Sequence, residues 1–360
     1  MGLPRSLISK AGATKPGELI PVPAAAHIPG VQEHHVTLNG VTWRYLSAGS
    51  HPHAPSAGAS GAPAPGPALV LVHGLLGYSW SWRFNIRELA KNFTVYAPDL
   101  PGCGFSQRDG SLCGSLESDA DGLIALLDHL GVNQFYLVGS SRGGGLGIVV
   151  AGMLAKRGML HRMPRMILSA PINPWSGFGR RRARLFATRL GRQYVIHVTP
   201  RLPSILELYY RKLYGDPARI AEGSIAGYAE GLLVPRSFHH IANIMRVWHA
   251  DLRQVEATLP LLQELPILLL WGSQDVAVYP SSAFELQDRL ANAALLAMEG
   301  IGHLPYEEVP AEFNRIVCEF LLRRSPPTPL EISASENAQP NDRQIAARPK
   351  ADCIRSRIAG

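Results

Sequence analysis

The chain has 360 residues, of which 46% are hydrophobic and 18% are charged, and its formal net charge is +7. This composition is typical of a folded globular protein and excludes a largely disordered one. No apolar run reaches the roughly 18 residues that a membrane-spanning helix needs. Much of the positive charge lies in local clusters, without the aromatic-interleaved basic stripe typical of nucleic-acid binding. We therefore expect neither a membrane span nor a nucleic-acid partner.

The first seventeen residues lack the continuous apolar segment of a secretory signal. The four cysteines, Cys103, Cys113, Cys318 and Cys353, include no C-x-x-C pair and no zinc-type Cys/His cluster. Reduced thiols and a cytoplasmic location are the expectation from these two observations.

The N-terminal part combines two irregular segments with one ordered one. Residues 1–33 are rich in Pro, Ala and Gly and predict an N-terminal arm. Residues 35–45 alternate between apolar and polar side chains around a central Asn39-Gly40, which indicates a β-hairpin. Residues 49–68 are of low complexity and predict a flexible Ala/Pro/Gly loop.

From residue 68 onwards, short apolar runs alternate with helical patterns. The predicted strands are 68–72, 93–97, 135–138, 165–170, 267–271 and 293–298. The predicted helices of this part are 80–91, 116–130, 146–155, 282–291 and 311–322. Because no hairpin signal separates these strands, the alternation indicates a mostly parallel sheet with helices on both faces, an α/β fold.

The rhythm changes between residues 171 and 263, where helical patterns occur without a convincing strand. The clearest patterns are 205–214, 217–232 and 237–252. We interpret 171–263 as a helical cap inserted into a core of residues 34–170 and 264–324. The polar stretch 325–360 predicts a disordered tail.

A G-x-S-x-G pentapeptide, Gly139 to Gly143, lies between the strand at 135–138 and the following helix. A serine on such a sharp turn has strained backbone angles, and its flanking glycines let strand and helix pass closely. Ser141 is the candidate nucleophile rather than Ser140, because only Ser141 has a glycine two places away on each side.

An activated serine needs a base, and the base needs an orienting carboxylate. In α/β sheets reactive groups follow the carboxyl ends of strands. Asp275 follows the strand at 267–271, and His303 follows the strand at 293–298. The order Ser141, Asp275, His303 is the one expected of α/β-hydrolases.

Several stretches in the right order make the chain resemble the α/β-hydrolase superfamily, in particular its cap-bearing esterase branch. They span residues 69–321 and read LVLVHGLLG, VYAPDLPGCGFS, LVGSSRGG, ILLLWGSQD and GIGHLPYEEVPAEFNRIVCEFL. The resemblance implies the α/β-hydrolase fold with an inserted cap, a small-molecule substrate, and no metal or organic cofactor.

The resemblance also implies roles residue by residue. Ser141 is the implied nucleophile, His303 the base and Asp275 the carboxylate. The backbone N–H groups of Leu75 and Arg142 form the implied oxyanion hole, where each donor would contribute about 3 kcal/mol. Gly139 and Gly143 complete the nucleophile elbow.

Other polar and aromatic residues have structural interpretations at this stage. We expect Asp99 to shape a Pro-Gly turn, and His73 to support the oxyanion turn. His239 and His240 are expected at the surface. The aromatic residues of the cap are expected to pack within it rather than to line a substrate site. They are Tyr209, Tyr210, Tyr214, Tyr228 and Trp248.

The leading hypothesis is hydrolysis of a small hydrophobic carboxylic ester through an acyl-enzyme. The first alternative is another reaction on the same triad, namely carbon–carbon bond hydrolysis, perhydrolysis or acyl transfer. Arg142 and Leu75-Leu76 stand where carbon–carbon hydrolases usually have a methionine and a glycine-richer loop, which disfavours that reaction. The second alternative is a ligand-binding relative without catalysis. The oligomeric state stays open.

Overall fold

A computed structural model describes residues 19–49, 66–108 and 112–322. All of them belong to one compact unit, Met1–Pro327, and a second unit, Thr328–Gly360, falls outside the described residues. The predicted tail at 325–360 and most of the predicted loop at 49–68 therefore also lie outside them.

Eight strands form a single sheet in the described part of the chain. They are β1 (Gln32–Leu38), β2 (Val41–Ala48), β3 (Ala68–Val72), β4 (Thr94–Pro98), β5 (Phe135–Ser140), β6 (Met166–Ser169), β7 (Ile267–Gly272) and β8 (Ala293–Met298). The strand order is β1-β2-β4-β3-β5-β6-β7-β8. The pairs β1/β2 and β2/β4 are antiparallel, and every pair among β3 to β8 is parallel. The prediction of a mostly parallel sheet is confirmed.

The hairpin predicted around Asn39-Gly40 joins β1 to β2. Leu38 pairs with Val41 across a two-residue loop. Asn39 and Gly40 have φ values of 51° and 77°. Positive φ at both central positions defines the type I′ turn, which asparagine and glycine adopt at low cost and which matches the twist of the strands.

Helices cover both faces of the sheet. Outside the insertion they are α1 (Ile86–Leu89), α2 (Leu116–His129), α3 (Arg142–Lys156), α9 (Ser281–Gln287), α10 (Pro305–Glu308) and α11 (Pro310–Leu322). Alternate residues of β3 enter two separate cores: Val70 and Val72 pack with α2 and α3, whereas Leu69 and Leu71 pack with α1 and α11. A strand buried on both faces must be apolar throughout, which explains the uninterrupted apolar run that predicted it.

Five helices lie between β6 and β7 and form what we call the helical insertion. They are α4 (Phe178–Ala187), α5 (Arg189–Gln193), α6 (Pro203–Lys212), α7 (Ser224–Leu232) and α8 (Ser237–Thr258). The prediction of one continuous helix at 217–232 is wrong. A short 3₁₀ turn, Pro217–Arg219, is separated from α7 by Gly223, whose φ of 78° cannot continue a right-handed helix.

The predicted helix at 80–91 is also two elements, a 3₁₀ turn Ser79–Trp82 and the short α1. A continuous α-helix would direct Trp80 and Trp82 some 200° apart. Both indole rings are instead buried in the same apolar core. The described part of the predicted N-terminal arm is likewise packed, because Ile20 and Ile28 are buried in that core before β1 begins.

Candidate active site

The three residues predicted to be catalytic each follow a strand of the parallel part of the sheet. Ser141 comes directly after β5, Asp275 comes three residues after β7, and His303 comes five residues after β8. Since these strands are parallel, their carboxyl ends meet at one edge of the sheet.

Ser141 lies on a strained turn between β5 and α3, with φ 53° and ψ −117°. The turn admits no side chain on either side of it. A Cβ atom on Gly139 would lie 2.4 Å from the carbonyl oxygen of Gly143, and one on Gly143 would lie 2.4 Å from that of Val72. Ser141 is half-buried, whereas Ser140 is buried. The predicted sharp turn is therefore present at the serine that the spacing favoured.

Asp275 and His303 are in direct contact. His303 Nδ1 lies 2.7 Å from Asp275 Oδ2, and both side chains are buried. Asp275 Oδ1 accepts the backbone N–H groups of Ala277 and Val278 at 2.7 and 2.9 Å, which fixes the carboxylate. A carboxylate only accepts hydrogen bonds, so in the neutral imidazole it is Nδ1 that carries the proton and Nε2 that has the lone pair. This is the tautomer that a base needs.

Ser141 and His303 line one cavity together with the loop after β3. A Cβ atom on Gly74 would lie 3.0 Å from Ser141 Cβ and 3.7 Å from its Oγ, so this loop passes close to the serine. Leu76 has a φ of 65°, an uncommon conformation for a side chain of this size. The hydroxyl of Tyr210, from the insertion, donates to the Leu76 carbonyl at 2.8 Å and holds the loop.

Of the two predicted oxyanion donors, Leu75 lies in this loop and Arg142 directly follows Ser141. Arg142 is the first residue of α3, so its N–H has no acceptor within the helix. No hydrogen bond among the described residues uses the N–H of Leu75. Neither N–H group therefore has an acceptor among the described residues, and their role as oxyanion donors stays a prediction.

His73 and Asp99 have structural roles, as predicted. The imidazole of His73 is buried between Gly74 and Leu100, with Nε2 accepting the Leu100 N–H at 3.1 Å. Burial lowers its pKa, so it is neutral. Asp99 accepts the N–H groups of Ser79 and Phe105 at 2.8 Å, and Arg44 lies 3.1 Å away. Burial opposes ionisation of Asp99, but Arg44 and these donors lower its pKa overall.

The cavity has a volume of about 290 Å³ and is mostly apolar. Among the described residues that line it there is one histidine, His303, and no Lys, Arg, Asp or Glu. Tyr209, Tyr210, Tyr228 and Trp248 line this cavity, so the expectation that they only pack within the insertion is wrong. The sequence pattern shows that these residues lie on helices but not that the helices surround a void.

Two glutamates that the sequence analysis did not consider join the insertion to the loop of His303. Glu308 Oε1 accepts the N–H of Gly302 at 2.7 Å, and its Oε2 accepts that of Gly215 at 3.0 Å. The His303 N–H donates to the carbonyl of Leu213 at 2.6 Å. His303 is thus held by the insertion, and Gly302 is held by a core side chain that also bonds to the insertion.

Glu307 binds three donors in a buried network. Arg83 forms a bidentate ion pair with it at 2.7 and 3.1 Å, the Tyr214 hydroxyl donates at 2.6 Å, and the Tyr228 hydroxyl donates as well. Burial first of all, and the Glu307 charge next, raise the pKa of Tyr214. In the sequence Glu307-Glu308 resembles the solvent-exposed first turn of a helix, so no local signal indicated this network.

The side chain of Arg142 is buried behind the turn. Its guanidinium lies 2.8 Å from Asp119 and donates to the Gly114 carbonyl at 2.7 Å. Burial opposes its charge, but Asp119 and Asp251 raise its pKa overall, so it is a cation. Burial also raises the pKa of Asp251 to about 6, although Arg142 opposes this.

His240 corrects the expectation that both cap histidines are at the surface. His239 is exposed, but the His240 ring is buried against Gly102, where a Cβ atom would lie 2.3 Å from the ring. Burial, with Arg142 and Arg108 nearby, lowers the His240 pKa to about 3. This imidazole is therefore neutral and serves as packing.

Within the described ranges, no group of three or more His, Cys, Asp or Glu side chains is arranged to hold a metal ion. None of the helices in these ranges is both long and apolar enough to cross a membrane.

Comparison with known proteins agrees with this geometry. Residues 69–316, more than half of the chain, match the alpha/beta hydrolase family, and the chain belongs to this family. An uncharacterised protein of Mycobacterium tuberculosis is 26% identical over 281 residues, covering 71% of this chain and 75% of its own. The uncharacterised hydrolase YugF of Bacillus subtilis is 26% identical over 264 residues, and the match covers 70% of this chain and 89% of YugF.

A solved structure with a similar fold is the 2-hydroxy-6-oxo-6-phenylhexa-2,4-dienoate hydrolase of Rhodococcus sp. strain RHA1. It superposes with a TM-score of 0.65 at 22% identity, covering 80% of this chain and 98% of its own. At this identity the likeness concerns the fold alone.

Proposed function

We propose that the chain is a serine hydrolase that cleaves small hydrophobic carboxylic esters through an acyl-enzyme. One observation carries the proposal. His303, whose Nδ1 is bonded to the buried carboxylate of Asp275, lines the same apolar cavity as a serine on a strained strand-to-helix turn.

In the proposed reaction, Ser141 Oγ attacks the ester carbonyl while His303 Nε2 takes its proton. The N–H groups of Leu75 and Arg142 bind the developing oxyanion. His303 returns the proton to the leaving alcohol, which leaves an acyl group on Ser141. Water activated by His303 then releases the acid. Asp275 stabilises the imidazolium at both stages.

The cavity supports an uncharged acyl group. Its described lining offers no Lys, Arg, Asp or Glu side chain to pair with a charged substrate. A volume of about 290 Å³ lies at the lower end of the range of small-molecule sites. Each buried methylene contributes about 0.8 kcal/mol. The proposal therefore predicts that kcat/KM rises with acyl length and falls once the chain exceeds the cavity.

The test is reaction with a fluorophosphonate, with the adduct located by mass spectrometry, beside hydrolysis of p-nitrophenyl esters from acetate to dodecanoate. We expect labelling at Ser141, and in Ser141→Ala a loss of kcat of roughly 10⁵-fold or more. Ser140→Ala is the matched control, because Ser140 is the adjacent buried serine, and it should keep both labelling and turnover.

The outcomes separate the alternatives. Labelling at Ser141 without ester turnover would indicate another reaction on the same triad, such as carbon–carbon bond hydrolysis, perhydrolysis or acyl transfer. No labelling of a folded sample would contradict the enzymatic proposal and favour a ligand-binding protein on a hydrolase fold.

A further inference from the structure

The outer surface of the helical insertion exposes an unusual number of apolar side chains. Of thirteen exposed large hydrophobic residues in the described ranges, six lie within residues 185–208. Leu190 is 85% exposed. The six, which we call the apolar row, are Leu185, Leu190, Tyr194, Val198, Ile205 and Leu208. Exposed apolar side chains concentrated in this way mark interaction surfaces.

Helical spacing aligns much of this row. Leu190, Tyr194 and Val198 are four residues apart across α5 and the π-helical turn that follows it, so they share one side. Val195 and Thr199, one position further on, line the cavity instead. The same short segment therefore presents one side to solvent and another to the cavity.

The apolar row continues to the edge of the cavity. Ile205, in α6, is 52% exposed and also lines the cavity. The ring of Tyr194 stacks on that of Phe186, another cavity residue, with centroids 6.4 Å apart. The exposed surface and the cavity share a boundary.

The segment that carries the apolar row also contains the excess of basic over acidic residues. Residues 178–212 contain nine Lys and Arg residues and one glutamate, a net charge of +8, whereas the whole chain has a net charge of +7. The rest of the chain therefore has a net charge of −1. Among the described side chains, Arg184, Arg189, Arg201 and Lys212 are exposed between the apolar residues.

We propose that this face of the insertion docks on the surface of an anionic lipid bilayer. Apolar side chains enter the headgroup region while the surrounding basic side chains bind lipid phosphates, as in amphipathic interfacial helices. Tyrosine is favoured at this depth of a membrane. Each basic side chain strengthens binding to an anionic surface about fivefold.

Two other occupants fit the surface less well. A second copy of the chain would present the same exposed basic side chains, and like charges repel each other. Single-stranded nucleic acid requires exposed aromatic platforms for its bases. Here the exposed residues are mainly aliphatic, and Tyr194 already stacks on Phe186.

Docking in this orientation turns the edge of the cavity towards the lipid. A hydrophobic ester could then enter from the bilayer rather than from water. This second statement depends on the proposed function, whereas the docking does not.

The test is co-sedimentation of the full chain with phosphatidylcholine vesicles, with and without 30% phosphatidylglycerol. We expect binding only to the anionic vesicles, weakened by added salt. The apolar variant Leu190→Ser with Val198→Ser and the charge variant Arg184→Gln with Arg189→Gln should each weaken it at least tenfold. Arg253→Gln with Leu261→Ser changes one exposed basic and one exposed apolar residue elsewhere and should bind like the native chain.

Ser141→Ala should bind vesicles normally, which separates docking from catalysis. Both surface variants should also hydrolyse a soluble short-chain ester at the native rate. Absence of vesicle binding would overturn the proposal, and so would equal losses in the control variant. A loss in the charge variant alone, with equal affinity for a single-stranded oligonucleotide, would indicate a general polyanion site instead.

Discussion

The carboxyl edge of the sheet and the helical insertion contribute to the site by different means. At the sheet edge, backbone contacts determine the geometry: Gly139 and Gly143 lie where any Cβ atom would collide with a carbonyl oxygen. In the insertion, side chains determine it: Tyr210 holds the Leu76 loop, and Glu308 of the core is bonded to Gly215. Backbone contacts tolerate few substitutions, whereas a side-chain wall can change shape without moving the reacting groups.

This difference predicts that substitutions at the sheet edge abolish the proposed reaction. Substitutions in the insertion, or in its contacts with the core, should change the rate without abolishing it. Four experiments test that contrast, in order of decreasing expected effect.

The largest effect is expected at the carboxylate. Asp275→Asn keeps the volume but no longer holds the proton on His303 Nδ1, and kcat should fall about 10⁴-fold in ester hydrolysis. Asp99→Asn is the matched control, a buried aspartate that is bonded to Arg44 instead. It should lower the free energy of unfolding by about 3 kcal/mol while the folded enzyme keeps its kcat. Equal losses of kcat in both variants would contradict the assignment.

The second effect concerns the turn itself. Gly143→Ala introduces a methyl group 2.4 Å from the Val72 carbonyl oxygen. Urea titration should show a free energy of unfolding lower by about 3 kcal/mol, with a fall in kcat because the serine moves. Gly177→Ala, where a Cβ atom has no neighbour within 4 Å, should leave both quantities unchanged. If Gly143→Ala were as active as Gly177→Ala, the close passage of β3 and α3 would be wrong.

The third experiment tests the bonds of Glu308, which connect the His303 loop to the insertion. In Glu308→Gln, one side-chain atom near the Gly215 N–H changes from an acceptor to a donor, and an unsatisfied buried group costs about 1–3 kcal/mol. We expect kcat to fall about tenfold and KM to change little, since the cavity wall stays in place. Glu299→Gln, at an exposed position in the same loop, should have native kinetics. A rise in KM with constant kcat would show that Glu308 shapes the cavity instead.

The smallest effect is a pH dependence of the free energy of unfolding. It arises at a second contact between the insertion and the core, where Asp251 of α8 accepts the N–H of Leu116. Burial raises the pKa of Asp251 from 3.8 to about 6. The folded state therefore binds this proton more tightly than the unfolded state. Its stabilisation is complete below pH 3.8 and is lost as the pH rises through 6.

Asp251→Asn removes this pH dependence but keeps an acceptor for Leu116. In urea titrations, the free energy of unfolding of the variant should rise by about 2 kcal/mol relative to that of the native chain as the pH increases from 4 to 7. A difference between the two proteins that stays constant over this range would mean that Asp251 is ionised throughout.

Local sequence patterns were enough to predict the sheet and the order of the candidate site residues along the chain. A short, uninterrupted apolar run rich in β-formers, as in β3, indicates an interior strand, and Asn39-Gly40 between alternating residues indicates a tight hairpin turn. The pentapeptide around Ser141, and the positions of Asp275 and His303 after strands, are equally local. Because parallel strands end at one edge, local position was enough to predict which residues meet.

The cavity, and the contacts that hold the insertion on the core, could not be predicted from local patterns. Whether Tyr209 and Trp248 face a void depends on how α6 and α8 lie over the sheet, which no periodicity records. The bonds of Glu307 to Tyr214 and of Glu308 to Gly215 each span 93 residues of chain. These two partners are a single hydroxyl and a backbone amide, which carry no pattern in the sequence. Such contacts follow from packing, and packing is determined only when the whole chain has folded.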